Sequence, residues 1–427
     1  MFAPGPNSPI KNTDYRVVLP FYAYAALSFL LATIIISTDV GAFTQSHFNA
    51  KALAVTHTMA LGWGTMMILG ASHQLFPVLI EGKLYSNFLA HSSFILGALS
   101  IPLLIYGFYT FNFGVLAQTG AVGINLAVIA YLLNLSLSIK DSKSRNVHAV
   151  SAFTAVIWLL FTTLIGLLLL FNFQHPFLPE ASVHYLSLHA HMGIIGWFLL
   201  MVVGVGARLI PMFLISKYEN KKTLWWVYGL INAGLTLYIY VFFTDNHAIL
   251  SLAPIALIAI ALALFASFIY KAYQKRIRKS VDEQVKTSLL SVGMLSIPLV
   301  VILAFVILMA NWGHRQFLTL YGFSIFFGWI SAIIIGMTFK TLPFIVWNKV
   351  YHKIAGLGKT PNPKDLFKSN LFMGNIIAYV LGFMIFCAGI LLTDTVLLNI
   401  GATLLLINAV LYNANVFFIL FHQAKLK

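Results

Sequence analysis

Apolar runs of about 20 residues recur along the whole chain, and that is the length an α-helix needs to cross the roughly 30 Å hydrocarbon core of a bilayer. Within lipid every backbone N–H and C=O must find a partner inside the protein, which leaves helices and closed barrels as the only spanning structures. Barrel strands alternate apolar and polar residues over about ten positions. These runs are continuous, so the expected fold class is an all-α polytopic membrane protein. Charged residues occupy only 9% of the 427 positions, against roughly 25% in soluble domains, which excludes a water-soluble enzyme. The single cysteine, Cys387, excludes an intramolecular disulfide framework. Twelve spans read near 16–38, 50–80, 87–109, 113–138, 148–171, 184–215, 222–243, 247–271, 286–309, 314–347, 369–392 and 396–421, forming a single transmembrane domain over 1–427.

The net charge of +15 follows the membrane rather than a nucleic acid. With the N-terminus inside, Lys51 and Arg315 are the positive charges of the outer segments, Arg208 and Lys340 lie near the inner ends of spans, and the remaining Lys and Arg collect in inner segments. This is the positive-inside asymmetry, and it predicts a cytoplasmic (inner) membrane protein with both termini in the cytoplasm. The first fifteen residues are polar and the following run is long enough to span, so a cleaved signal peptide is not expected. The eleven carboxylates, Asp14, Asp39, Glu81, Asp141, Glu180, Glu219, Asp245, Asp282, Glu283, Asp365 and Asp394, all fall at span ends or in loops. Ion-coupled pumps and transporters keep a carboxylate at membrane depth, so intramembrane polar chemistry here falls to histidine, tyrosine, Arg208 and Lys340. The last two can snorkel to the inner surface.

One pattern occurs three times. The second span reads HTMALGWGTMMILGASHQLFP from His57 to Pro77, the sixth HMGIIGWFLLMVVGVGARLIP from His191 to Pro211, and the tenth FSIFFGWISAIIIGMTFKTLP from Phe323 to Pro343. Each has Gly-Trp five and six positions after its start, Gly at thirteen and Pro at twenty, and the starts recur at nearly equal intervals, one four-helix unit each. The chain therefore reads as three parallel four-helix repeats, 1–145, 146–280 and 281–427, around a pseudo-threefold axis along the membrane normal. The repeated glycines allow close helix approach, and each proline marks a kink or the inner end of its helix.

Three of the thirteen histidines stand in the outer third of these central helices: His57, His189 and His191. A lone membrane histidine most often makes an interhelical hydrogen bond. Here the register carries more. Positions two apart on an α-helix are separated by about 200°, so His189 and His191 face opposite sides. In a threefold ring the gap between the second and sixth spans receives His57 and His189, the pairing a bis-imidazole haem requires. The gap between the sixth and tenth spans receives His191 opposite Tyr321. The third receives Phe323 and Val55 and is filled by side chains.

His-Ala-His-Met-Gly-Ile-Ile-Gly-Trp at 189–197 resembles the tenth-helix motif of subunit I in the haem-copper oxidase superfamily, closest to its C-type oxidase and nitric oxide reductase branch, and the NnrS-like membrane proteins are similar. In that family the first His of H-x-H binds a high-spin haem and the second a low-spin haem opposite a second-helix His. The resemblance covers the twelve spans, the cytoplasmic termini and the threefold architecture. The departures are specific: H-x-H lies on the sixth span, the seventh span has no histidine to complete the family's copper site, and the family's proton-delivery carboxylates are absent.

The leading expectation is a b-type haem protein of the membrane acting in electron transfer or in nitric oxide or oxygen redox chemistry. His57 and His189 are its low-spin ligands, His191 with Tyr321 forms a second site, and Arg315 pairs with a propionate or simply orients its loop. A quinol or a separate cytochrome is the expected electron donor, and the absence of C-x-x-C-H argues against covalent haem. Two other readings stay open at this level. One is copper binding or transport through His184, His189, His191, Met59 and Met192, since imidazole and thioether suit copper. The other is a haem-free secondary transporter of neutral solutes.

Overall fold

The computed structural model describes residues 13–140, 146–244, 248–308, 315–352 and 360–424. Among them twelve helices are long and apolar enough to cross a membrane, and there is no strand. The protein is an all-α polytopic membrane protein. The helices are α1 (Tyr15–Thr38), α2 (Ala50–Leu79), α3 (Asn87–Tyr109), α4 (Val115–Lys140), α5 (Val147–Gln174), α6 (Leu186–Phe213), α7 (Lys221–Thr244), α8 (Ala248–Gln274), α9 (Glu283–Leu308), α10 (Gln316–Tyr351), α11 (Ser369–Leu392) and α12 (Thr395–Leu420). The expected spans agree with these within a few residues.

The carboxylates that avoid the apolar runs have local work at helix ends. Asp14 accepts from the Arg16 N–H at the start of α1, Asp394 from the N–H groups of Val396 and Leu397 at the start of α12, and Asp39 from Ala42 in the short 3-10 helix Val40–Thr44. Asn49 and Asn146 do the same for α2 and α5. The first N–H groups of a helix have no intrahelical acceptor, and a side-chain oxygen at the cap supplies one. α9 breaks at Leu295, three residues before Pro298, where the proline ring crowds the carbonyl one turn back.

The chain divides into two compact units. The first comprises 1–13, 72–107 and 112–281, and the second 14–71, 108–111 and 282–427. In the first, α5 is tied to its neighbours by buried polar pairs: Asn125 of α4 donates to the Thr163 carbonyl at 3.1 Å, and the Trp158 indole donates to Asn232 of α7 at 3.0 Å. Leu188, Met192 and Leu235 form an apolar cluster against Trp158, Ile195 and Tyr238. In the second unit Trp63 stacks on Phe29 of α1 at 4.6 Å and meets the edge of Tyr412 of α12 at 5.1 Å. Its indole donates to Ser331 of α10 at 3.2 Å, and the Tyr412 hydroxyl donates to Thr338 at 2.9 Å.

The repeated glycines are where the first helix of each repeat meets the central one. A Cβ at Gly70 would run into Phe21 of α1, one at Gly204 would lie 2.6 Å from the Ser151 Cβ of α5, and one at Gly336 would strike Ser288 and the Gln284 carbonyl of α9. Pro77 and Pro211 stand two residues before their helices end. Pro343 instead lies inside α10, which continues to Tyr351.

The central helices are not α-helical throughout. Thr58–Thr65, Met192–Leu199 and Ser324–Ile330 are π-helical, each carrying the repeat's Gly-Trp. At their ends the N–H groups of Met66, Leu200 and Ser331 bond to carbonyls five residues back, on Leu61, Ile195 and Phe326. Trp63, Trp197 and Trp329 are all fully buried. Extended π-helix is rare and concentrates at functional positions, and its occurrence at one matched place in three repeats gives the sequence repeat a backbone counterpart.

Candidate functional site

The three π segments place the candidate residues. His57, His191 and Phe323 are each the last residue before the backbone widens. Each lays its ring against an aromatic ring of the third helix of its own repeat. His57 stacks on Phe108 of α3 with ring centres 4.2 Å apart, His191 lies 4.8 Å from Tyr238 of α7, and Phe323 stacks on Phe386 of α11 at 4.6 Å and on Phe383 at 5.8 Å. In repeat three, then, this packing position is filled by phenyl. In repeats one and two it is filled by imidazole.

The two imidazoles are anchored identically. Nδ1 of His57 lies 2.8 Å from the Leu53 carbonyl, and Nδ1 of His191 lies 2.7 Å from the Ser187 carbonyl, in both cases four residues back. A carbonyl oxygen only accepts, so Nδ1 carries the hydrogen and the lone pair of the neutral ring sits on Nε2. His189 reaches the same tautomer by another route. It turns to α5, where Nδ1 lies 3.0 Å from the Thr162 carbonyl and the ring covers Gly166 so closely that a Cβ there would stand 2.8 Å from Cε1. His189 and His191 thus leave α6 on opposite sides, toward α5 and α7, as positions two apart on a helix must.

His57 and Tyr321 belong to the second unit, and His189 and His191 to the first. Tyr321 is half-buried on α10, and its carbonyl accepts the Ser324 hydroxyl at 2.9 Å as the π segment begins. The side chain of Arg315 lies outside the described residues. Lys51 projects over the Tyr109 ring at 3.5 Å, at the same end of α2 as His57. Of the residues named for a copper site, Met59 and Met192 are buried, Met192 within the apolar cluster of α6 and α7. His184 packs against Tyr185 and Phe242 at just over 5 Å. Among the described residues no three His, Cys, Asp or Glu side chains converge as a metal-ion site.

The two span-end cations have acidic partners. Arg208 lies 3.9 Å from Glu219, both more than half exposed, and Lys340 lies 2.5 Å from Asp282, both about a quarter exposed. Each cation stands three residues before its repeat's proline.

Sequence reasoning did not find Thr162, Gly166, Phe108 or Tyr238. The first two belong to the helix before the one that carries His189 and sit in no motif, and the two aromatics are among many Phe, Trp and Tyr residues in the chain. The π segments did leave a trace, the Gly-Trp pair recurring at one offset.

No protein-family model matches this sequence, and no curated protein matches it.

Proposed function

We propose that the protein is a b-type haem protein of the cytoplasmic membrane with both termini inside, a divergent relative of haem-copper oxidase subunit I, working in electron transfer or in nitric oxide or oxygen redox chemistry. The observation that carries this reading is the replacement of phenyl by imidazole at the residue preceding the π segment. Phe323 fills the packing role in repeat three with carbon alone. His57 and His191 occupy the equivalent place in an apolar setting, where a polar ring is costly, and are kept because the ring nitrogen is used.

The donor set fits haem. An imidazole that would hold haem through Nε2 is itself oriented by a hydrogen bond from Nδ1–H to a carbonyl or carboxylate. His57, His189 and His191 each place Nδ1 at hydrogen-bond distance from such a carbonyl, those of Leu53, Thr162 and Ser187 respectively. The anchoring carbonyl fixes the tautomer and ring plane and raises the basicity of Nε2, while Phe108 and Tyr238 limit rotation of the rings they cover. Haem, when bound, would supply a one-electron couple. A quinol or a separate cytochrome is the proposed electron donor.

The test is a reduced-minus-oxidised absorption spectrum of the purified protein with haem extraction and copper quantification. A Soret band with extractable haem b, diminished in His57→Ala and in His189→Ala, is expected. Protein free of haem, or unchanged spectra in both variants, refutes the proposal, and stoichiometric copper without haem replaces it.

A further inference from the structure

In the first unit two loops at the same end of the helices are locked together. After α6 the chain turns through Ile215 in the left-handed region (φ 52°), and Ser216 pairs with Arg276 in an antiparallel bridge. The Ile277 N–H donates to the Ile215 carbonyl at 3.2 Å. The Arg276 guanidinium is fixed from beneath: Nη1 donates to the Tyr273 carbonyl at 2.8 Å and the group lies 3.9 Å over the Tyr273 ring. Lys275 reaches across to the ring of Tyr218, 5.1 Å away, and Tyr218 packs on Phe268 of α8 at 5.3 Å.

This scaffold carries Lys217, Lys221, Lys222, Lys271, Lys275, Arg276, Arg278 and Lys279; Glu219 lies among them and is faced by Arg208, while Asp282 and Glu283, which follow at the start of α9, pair with Lys340 and Lys286. Eight cations gathered on two bridged loops and the helix ends that carry them repel one another, and a concentration of like charge on an ordered scaffold is stabilised by an anionic ligand. The apolar residues say which anion. Ile215 is 51% exposed and Ile277 is 63% exposed, and these neighbours across the bridge are joined by exposed Trp225, Trp226 and Tyr270 at the ends of α7 and α8. Aromatic rings at helix ends belong at headgroup depth, and exposed isoleucines among lysines are favourable beside acyl chains rather than water. The corresponding turn after α2 sets only Lys83 against Glu81.

We propose that the bridged loops 214–222 and 271–279 form a binding site for the phosphate headgroup of an anionic phospholipid, with Lys217, Lys275 and Lys279 contacting the phosphate and Ile215 and Ile277 flanking the acyl chains. The site is independent of the haem reading and of which leaflet the loops face.

The test uses the full-length protein in zwitterionic detergent, titrated with phosphatidylglycerol or with phosphatidylcholine of the same chains, following bound lipid by native mass spectrometry and the thermal midpoint. Phosphatidylglycerol is expected to bind preferentially and to raise the midpoint. The preference should fall about fivefold for each cation removed in Lys217→Gln, Lys275→Gln and Lys279→Gln, singly and combined, from about 1 kcal/mol per cation near an anionic surface. These side chains are exposed, and an unshifted lipid-free midpoint marks the variants as folded. Lys83→Gln should leave the preference unchanged, and Ile277→Ser should weaken lipid binding. Millimolar inorganic phosphate should not move the midpoint, and a shift matching that of the lipid would make the ligand a free anion and overturn the proposal. Equal binding of the two lipids, or an unchanged preference in the triple variant, also overturns it.

Discussion

Gly166→Ala puts a single methyl group where His189 rests. The new Cβ would stand 2.8 Å from Cε1 and 3.4 Å from Nδ1, while ordinary carbon contacts begin near 3.4 Å, so the ring must withdraw by about 0.6 Å. The Thr162 carbonyl lies on the same helix as the methyl, so moving the ring away from α5 strains the 3.0 Å hydrogen bond in length or angle. Losing that bond in an apolar setting costs about 1–3 kcal/mol. At an unobstructed helical site glycine to alanine instead stabilises, by about 0.5–1 kcal/mol. Gly229 of α7 supplies that comparison, because a Cβ there meets nothing within 4 Å. The thermal midpoint in detergent is expected to fall in Gly166→Ala and to hold or rise in Gly229→Ala. On the haem reading proposed above, disturbing the carbonyl that orients the His189 imidazole should also weaken cofactor retention about 10- to 100-fold, read as haem per polypeptide after dilution. A Gly166→Ala protein as stable as Gly229→Ala, with an unaltered spectrum, refutes the claim that α5 positions His189.

Three other expectations concern the scaffold. Gly204→Ala should cost about 1–3 kcal/mol by overpacking against Ser151, and combining it with Ser151→Gly should recover part of that loss, seen as a coupling energy above about 0.5 kcal/mol in a double-mutant cycle. Tyr412→Phe keeps the ring on Trp63 but removes the donor to Thr338, so unfolding should ease by about 1 kcal/mol. Lys340→Met removes the cation paired with the mostly buried Asp282 and should destabilise by about 1–3 kcal/mol, less in combination with Asp282→Asn, because breaking a partly buried pair costs more than replacing both partners.

Much of the fold was legible because lipid makes secondary structure a local question. A run of apolar residues must satisfy its own backbone groups, and the helices accordingly begin and end close to where the runs do. The glycines at 70, 204 and 336 were readable as contact points since a missing side chain at a repeated place signals a neighbour, although Phe21, Ser151 and Gln284 could be identified only in three dimensions. The candidate site was legible in part. That His189 and His191 diverge follows from the rotation of about 200° between positions two apart on a helix, and both lie in α-helical backbone ahead of the π segment. The stretch from His57 to Pro77 runs through the π turns, where side chains three and four apart no longer share a face, so a register computed at 3.6 residues per turn does not carry through it.

The sequence by itself determined the number and limits of the spans, the threefold recurrence of Gly-Trp, Gly and Pro, the removal of carboxylates to helix ends, and the choice of imidazole at two matched positions and phenyl at the third. All of these are properties of short segments in a medium that punishes polarity. The tertiary structure alone decided that the backbone widens at each Gly-Trp, that the rings before it pack on the third helix of their own repeat, and that the carbonyl holding His189 belongs to Thr162 of α5. Those features arise from contacts between separate helices, where packing chooses among arrangements that local sequence leaves equal.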